Sequence, residues 1–304
     1  MINFCTLFDS YYLDKGIALY KSLERVSNDF TLYIFCFDDR SFEILNEMKF
    51  EHAVILHHSC FETPELLEKK KERSKAEYCW TCTSITIEYV LENYPVQSCT
   101  YLDSDLYFYA DPAILFKEIY ESKADTVIVE HRFKNDTYGK KLEERNGKYC
   151  VEFNYFTQTV NSRKILTWWK DKCLEWCYDI PDLDRMGDQK YLNQFKTLFD
   201  RVHELQYLGG GVAPWNLEQY ELINKNGYDI TMKDSKQGEF SLIFYHFQNI
   251  RSMLIEKYGM SYEVKGITRS SNPIIGFLQK HFAAFKVQSL SDIIDLDGVE
   301  KYEY

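Results

Sequence analysis

The chain has no basic surplus, no apolar run of membrane length and no flexible linker. Its 36 Lys and Arg stand against 47 Asp and Glu, a net charge of −11. That balance argues against a general nucleic-acid binder, which needs a basic footprint to meet phosphates. It does not exclude anionic small ligands, because a bound metal can invert the local sign. No apolar run approaches the ~20 residues that span a bilayer. Only 13 Gly and 6 Pro occur in 304 residues. They form no Pro/Gly-rich linker, and no internal repeat or low-complexity tract is visible, so a single domain over 1–304 is the simplest expectation. The opening run Met1-Ile2-Asn3-Phe4-Cys5-Thr6-Leu7-Phe8-Asp9 lacks a basic n-region and a cleavage site. A cytoplasmic protein is expected, with its nine Cys as free thiols. Gly209-Gly210-Gly211 is no P-loop, since no Gly-Lys-Ser/Thr follows, and it lacks the first-strand context of a Rossmann fingerprint. It reads as a flexible or closely packed connection, with Trp215 beyond it as an anchor or sugar platform.

What the chain does have is aromatic surface and strand-helix alternation. Aromatics make up 16%, including 24 Tyr. Most should pack the core, and the remainder offer flat faces with polar tips that suit sugar or base stacking. Ile2 to Phe8, Thr31 to Phe37, Ala53 to Leu56 and Thr126 to Val129 read as strands. Between them, helices are expected over Lys15 to Val26, from a Ser41 cap through Lys49, and over Glu65 to Arg73 and Thr83 to Glu92. Asp111-Pro112 opens another, with Asp as cap and Pro at the first helical position. Such alternation predicts an α/β fold with a mainly parallel central sheet. Tyr149 to Val160 reads as strand, Ser162 to Tyr178 and Gly187 to Phe199 as helices, and Phe240 to Phe247 as strand. From about Ile274 a peripheral helix and irregular tail are expected.

The run Cys99-Thr100-Tyr101-Leu102-Asp103-Ser104-Asp105-Leu106-Tyr107-Phe108 is the most informative. Two carboxylates stand in residues that otherwise suit a buried strand, where charge is costly unless paired or metal-bound. If the strand ends at Leu102, both emerge at its carboxyl edge, where open α/β sheets bind ligands. Asp-Ser-Asp there is a candidate grip on a divalent cation and, through it, on a diphosphate; a solvated loop is the plain alternative. Asp9 ends the first strand on the same rim, as a pocket residue or a helix cap. Ser10, Tyr11 and Tyr12 after it suit a base-and-ribose pocket. His246, closing Phe244-Tyr245-His246-Phe247, suits a third metal position or an ordinary core histidine. Asp188 and Gln189 begin a helix, as polar recognition or as simple capping. Cys79-x-x-Cys82 and Cys173-x-x-x-Cys177 lack the spacing of a compact zinc module. Lys69-Lys70-Lys71-Glu72-Arg73-Ser74-Lys75 reads as a solvated helix face, with contact to anionic lipid headgroups as the second reading.

Five segments in order resemble bacterial GT-A glycosyltransferases, in particular the family 8-like enzymes of surface-polysaccharide gene clusters. They are Thr6-Leu7-Phe8-Asp9, Tyr101-Leu102-Asp103-Ser104-Asp105, Gly187-Asp188-Gln189-Lys190-Tyr191-Leu192-Asn193, Gly210-Gly211-Val212-Ala213-Pro214-Trp215-Asn216 and Tyr245-His246-Phe247. The resemblance covers roughly the first 250 residues. It implies a GT-A fold with a helical C-terminal elaboration, divided into a nucleotide-binding half (1–110), a sugar and acceptor half (111–260) and a peripheral segment (261–304). It implies Asp103, Asp105 and His246 as ligands of Mn²⁺ or Mg²⁺. Thr6, Asp9, Tyr11, Asp103, Ser104, Asn154 and Trp215 would contact the nucleotide sugar, and Asp188 and Gln189 would be catalytic, beside the anomeric carbon. The implied partners are a UDP-sugar donor and a carbohydrate or lipid-linked acceptor, with retention of configuration and, at most, peripheral association with the inner face of the membrane. Two departures stand out. The family's Asn-Gly strand reads Tyr149-Cys150-Val151-Glu152-Phe153-Asn154 here, with Asn154 as the stand-in. The family ending His-x-x-Gly-x-x-Lys-Pro-Trp is absent, with Arg251 in place of its Lys. The alternatives are a degenerate GT-A domain that binds without turnover and an Asp-x-Asp phosphatase. A nucleotidyltransferase would need a Gly-rich, basic triphosphate loop near residue 10, which is missing.

Overall fold

Short apolar runs rich in aromatic and β-branched residues become the central strands. The computed structural model describes residues 1–248 and the backbone of strands 250–255 and 259–264. Strand β1 (Ile2–Phe8), helix α1 (Leu13–Val26), strand β2 (Phe30–Cys36), helix α2 (Asp39–Met48) and strand β3 (Ala53–His57) form two crossover units. Helices α3 (Pro64–Glu72) and α4 (Lys75–Asn93) lead to β4 (Ser98–Leu102) and the short β5 (Leu106–Phe108). Helix α5 (Ala113–Ser122), strand β6 (Thr126–Glu130), helix α6 (Thr137–Asn146), strand β7 (Tyr149–Thr157) and helix α7 (Val160–Glu175) follow. A 3-10 turn at Gln189–Gln194 and the short α8 (Phe195–Leu198) precede edge strand β8 (Val202–Glu204).

The seven-stranded sheet runs β3-β2-β1-β4-β7-β6-β8. Strands β3, β2, β1 and β4 are parallel, as are β6 and β8, and β7 alone runs against both neighbours. This is the mixed α/β, mainly parallel sheet expected from the alternation. Its two faces are covered separately. One carries α4 and α7, with Ile85, Ile165 and the fully buried Trp169. The other carries α1 and α5, with Ile17, Leu23, Leu115 and Phe116.

Several boundaries differ from expectation for local reasons. Asp38, not Ser41, caps α2: its carboxylate accepts the Ser41 N–H at 2.8 Å. Helix α4 begins at Lys75, well before Thr83, because Ser74 and Glu77 form a reciprocal capping box. Thr159 caps α7, and Ser162 lies within it. The expected strand 240–247 is split between two sheets, β11 (Gly238–Ser241) and β12 (Phe244–His246), with Gly209 O accepting the Ile243 and Phe244 N–H groups at the break.

The C-terminal elaboration, expected to be helical, is built of hairpins across the described residues. Strands β9 (Tyr220–Asn226), β10 (Asp229–Asp234) and β11 form an antiparallel sheet over Met232 and Phe240, and β12 pairs with β5. Strands β13 (Ile250–Ile255) and β14 (Gly259–Val264) pair with each other. The Arg251 side chain and the helix expected from about Ile274 lie outside the described residues. Among the described residues no helix is long and apolar enough to cross a membrane.

Candidate active site

Parallel pairing of β1 with β4 sets their carboxyl ends on one rim. At that rim the chain turns from β4 into β5 through Asp103, Ser104 and Asp105, closed by the Leu106 N–H on Asp103 O at 3.2 Å. Strand β5 pairs antiparallel with β12, so His246 stands directly across from Leu106. The Phe247 N–H donates to Asp105 O at 3.0 Å. A residue about 140 positions downstream is thereby fixed beside the two aspartates. His246 Nε2 lies 3.1 Å from Asp105 Oδ1 and 3.7 Å from Asp103 Oδ2.

Behind the imidazole is a group the sequence reading missed. Glu152 of β7 is fully buried, and its Oε2 lies 2.6 Å from His246 Nδ1. A carboxylate accepts only, so the imidazole donates from Nδ1 and presents Nε2 to the aspartates. The signal was available: Glu152 is a charge inside an apolar strand, the same anomaly that marked Asp103. Lys15, on the first turn of α1, was also missed. It is 2% exposed, with its Nζ 3.4 Å from the Tyr12 ring centroid. Burial lowers its pKa, while Asp14, Asp105 and Asp9 pull the other way.

The electrostatics follow from crowding. Burial raises the Asp103 pKa, and Asp105 and Glu152 add to the rise against the opposing pull of His246. Asp105 stays low despite its burial because His246 and Lys15 favour its anion. His246 is raised well above the ordinary imidazole value; burial opposes this, and Asp105 and Glu152 outweigh it. Three carboxylates thus share one imidazole and one lysine. Glu152 Oε1 is buried with no hydrogen-bond partner. With His246 neutral and Lys15 charged, a divalent ion would bring the cluster to neutrality. Two carboxylate oxygens and one imidazole nitrogen are a donor set that fits Mn²⁺ or Mg²⁺. Asp103, Cys150 and His246 also converge closely enough to share an ion.

The remaining expected residues fall into three groups. Asp188 is 4% exposed and close enough to Asp103 for burial and that charge to raise its pKa to about 8. Its Oδ2 has no partner. Trp169 positions it by donating Nε1–H to the Asp188 carbonyl at 2.9 Å. Gln189, next in the chain, is half-buried, and Ser104 is buried between the aspartates. Trp215 meets the His246 ring edge to face at 5.2 Å. At the rim, Asp9 accepts the Tyr11 N–H at 3.0 Å, which is its capping role, and Tyr11 is 61% exposed. Two residues sit deeper. Thr6 is fully buried in β1 with Oγ1 unpartnered. Asn154 is fully buried and donates back to Val151 O at 3.0 Å, where β7 shifts register against β6; its Oδ1 is unpartnered.

The glycine cluster is the closely packed kind of connection. A Cβ on Gly209 would stand 2.0 Å from Ser241 O, and Gly211 has φ +114. Arg132 holds the segment by donating to the carbonyls of Leu205, Leu208 and Gly210 at 2.9–3.1 Å. The four cysteines considered for zinc all pack in or against the apolar core beneath α4 and α7. Burial raises the thiol pKa of Cys79, Cys82 and Cys173. On α3 the basic run is internally paired: Lys69, Lys70 and Lys71 lie 3.2, 2.6 and 2.7 Å from Glu72, Glu62 and Glu68.

Comparison with known proteins gives a consistent picture. Over 296 residues the chain is 30% identical to the uncharacterized protein YfnF of Bacillus subtilis (strain 168), covering 95% of this chain and 94% of that one. It is 29% identical over 258 residues to YfnD of the same organism, covering 84% and 79%. No family model matches. Among solved structures, the galactosyltransferase LgtC in complex with donor and acceptor sugar analogues superimposes with a TM-score of 0.56 at 11% identity, covering 94% of this chain and 96% of that one. The sheet and its crossover helices are therefore the GT-A fold.

Proposed function

The chain belongs to the family of Bacillus subtilis YfnF and has the GT-A fold, and from that premise we propose that it is a metal-dependent glycosyltransferase. Its donor would be a nucleotide-diphospho-sugar, with UDP-sugars first among the candidates, and its acceptor a glycan or lipid-linked sugar. The observation that carries this reading is the convergence of Asp103, Asp105 and His246 on the carboxyl rim, with Glu152 orienting the imidazole and Asp188 close by. Asp103, Asp105 and His246 would hold Mn²⁺ or Mg²⁺, which supplies electrostatic stabilisation of charge on a leaving diphosphate.

The chain's own groups do the rest. Glu152 keeps the His246 proton on Nδ1, leaving Nε2 as a ligand. Lys15 adds positive charge beside Asp105. Asp188, whose pKa is raised by burial and by the Asp103 charge, has an unpartnered oxygen that can hydrogen-bond a sugar hydroxyl. Tyr11 presents an open ring for a base, and Asn154 and Gln189 offer amides toward the sugar. The division into a nucleotide half (1–110) and a sugar and acceptor half (111–260), retention of configuration, and peripheral contact with a membrane belong to the same proposal. The test is turnover of a panel of UDP-sugars with Mn²⁺, with and without chelator. Turnover should need the metal and fall by about 100-fold or more in Asp105→Asn. Chelator-insensitive turnover, or no binding of any nucleotide sugar in a thermal-shift screen, would overturn the reading.

A further inference from the structure

A second group of ligating side chains lies two strands away from the Asp103 cluster. His57 ends β3 and His58 follows it, while Asp39 is the first residue of α2. In the sheet, β2 and β1 separate β3 from β4. The two imidazoles lie against each other, with ring centroids 4.0 Å apart. Both present Nε2 to the same atom: Asp39 Oδ1 is 2.8 Å from His57 and 3.2 Å from His58. These three ligand atoms converge closely enough to share an ion.

The far sides of the rings are fixed. His58 Nδ1 faces Glu62 Oε2 at 2.8 Å, and the Glu62 side chain is only 5% exposed. Glu62 is itself held by Lys70 Nζ at 2.6 Å and Tyr78 Oη at 2.8 Å. With Lys70 and Tyr78 both donating to Glu62, its carboxylate faces His58 as an acceptor, so His58 carries a proton on Nδ1. In the neutral ring, Nε2 is then a bare lone pair aimed at the oxygen of Asp39. Two acceptors face one another unless a proton or a cation lies between them. A buried carboxylate behind an imidazole whose other nitrogen points at further ligands is the usual supporting arrangement of a metal-bound histidine. On the other ring, His57 Nδ1 accepts the Ser59 N–H at 3.3 Å and meets Ser59 Oγ at 2.7 Å, so an ion would take the place of the proton that Nε2 shares with Asp39 Oδ1.

We propose that Asp39, His57 and His58 form a second cation site, suited to an imidazole-preferring divalent transition ion such as Zn²⁺. Tetrahedral zinc with bonds of about 2.0–2.1 Å sets its ligand atoms about 3.3 Å apart; the His58–Asp39 pair stands at 3.2 Å, and the His57–Asp39 pair, at 2.8 Å, would open by about half an ångström. Asp39 is largely exposed, so the fourth position is open to water. The site has a structural consequence. The neighbouring Asp38 accepts both the backbone N–H and the hydroxyl of Ser10, at 2.9 and 2.7 Å. An ion on Asp39 would clamp the first turn of α2 to the end of β3, and that same turn holds the loop that carries Asp9 and Tyr11.

The experiment titrates metal-freed full-length protein with Co²⁺ and reads visible d–d absorption. We expect bands from one tightly held ion that Zn²⁺ displaces and millimolar Mg²⁺ does not. With Asp105→Asn as the background, which removes a ligand from the other cluster, they should persist, and adding His58→Ala or Asp39→Asn should abolish them. Asp39 is exposed, so Asp39→Asn decides the matter should the histidine variant fail to fold. Bands that survive both variants, bands already lost in Asp105→Asn, or no bands at all would overturn the site; in the last case His58 is an imidazolium bridging two carboxylates. None of these readouts depends on sugar transfer, so the two proposals stand or fall separately.

Discussion

A buried imidazole between three carboxylates is the residue-scale feature on which the proposed chemistry rests. Glu152 would touch no ion in the proposed site, yet it decides which His246 nitrogen is free. Glu152→Gln keeps the shape but can no longer insist on a protonated Nδ1. Its Mn²⁺ affinity, measured by calorimetry, should weaken about 10- to 100-fold while the fold persists. An unchanged affinity would mean that His246 is not a ligand. Asp103 and Asp105 were legible in the sequence because charge in an apolar run needs a reason. Glu152 breaks the same rule, but it stands in the middle of a strand, where no sheet edge marks a site. Lys15 was hidden differently: at the start of an amphipathic helix a lysine looks solvated, and only packing against Tyr12 and the rim shows it buried.

At the scale of elements, the segment from Gly209 to Asn216 decides where β12 and Trp215 lie. The Asn216 side chain ties it down by donating to Gly211 O and His131 O and accepting the Ala213 N–H. Gly211 combines a left-handed φ of +114 with a neighbour 2.8 Å from any Cβ, and Glu152 Oε1 at 3.2 Å. Gly211→Ala should therefore cost about 2–4 kcal/mol in urea unfolding and also weaken metal binding, because it presses on the residue behind His246. A stable variant with normal Mn²⁺ binding would show the segment to be only a connector. Helix existence was legible from periodicity and strand existence from apolar runs. Starts were less so. Ser41 looks like a cap and Ser162 like a helix start, but Asp38 and Thr159 win because their side chains reach N–H groups three residues on. The split of 240–247 into β11 and β12 was not legible at all, since both halves have strand composition and only their partners differ.

For the whole molecule, the outer edge of the sheet is closed by charge. Glu204 on β8 takes Lys148 Nζ at 2.9 Å, Tyr149 Oη at 2.8 Å and Lys196 Nζ at 3.0 Å. Burial alone would raise its pKa, but these donors hold it well below the ordinary value of 4.5. A carboxyl depressed in the folded state contributes stability in full above its unfolded pKa and loses it as pH falls. Wild type should exceed Glu204→Gln in urea stability at pH 7, and the gap should narrow from about pH 4.5 downward. A gap independent of pH would mean that the contribution is packing rather than charge. The alternation of short apolar runs with amphipathic stretches determined by itself that the chain is α/β with a mainly parallel sheet, because backbone hydrogen bonding and burial have few other solutions for that pattern. The sequence also marked the carboxyl rim, since two aspartates at a strand end have no other cheap place. Only the tertiary structure decided that His246, Glu152, Lys15 and Asp188 meet those aspartates. They arrive through an antiparallel pairing of β5 with β12, a register on β7, the first turn of α1 and a turn held by Trp169. Each depends on which partners pair across distant segments, and pairing choices are settled by collective packing rather than by any local pattern.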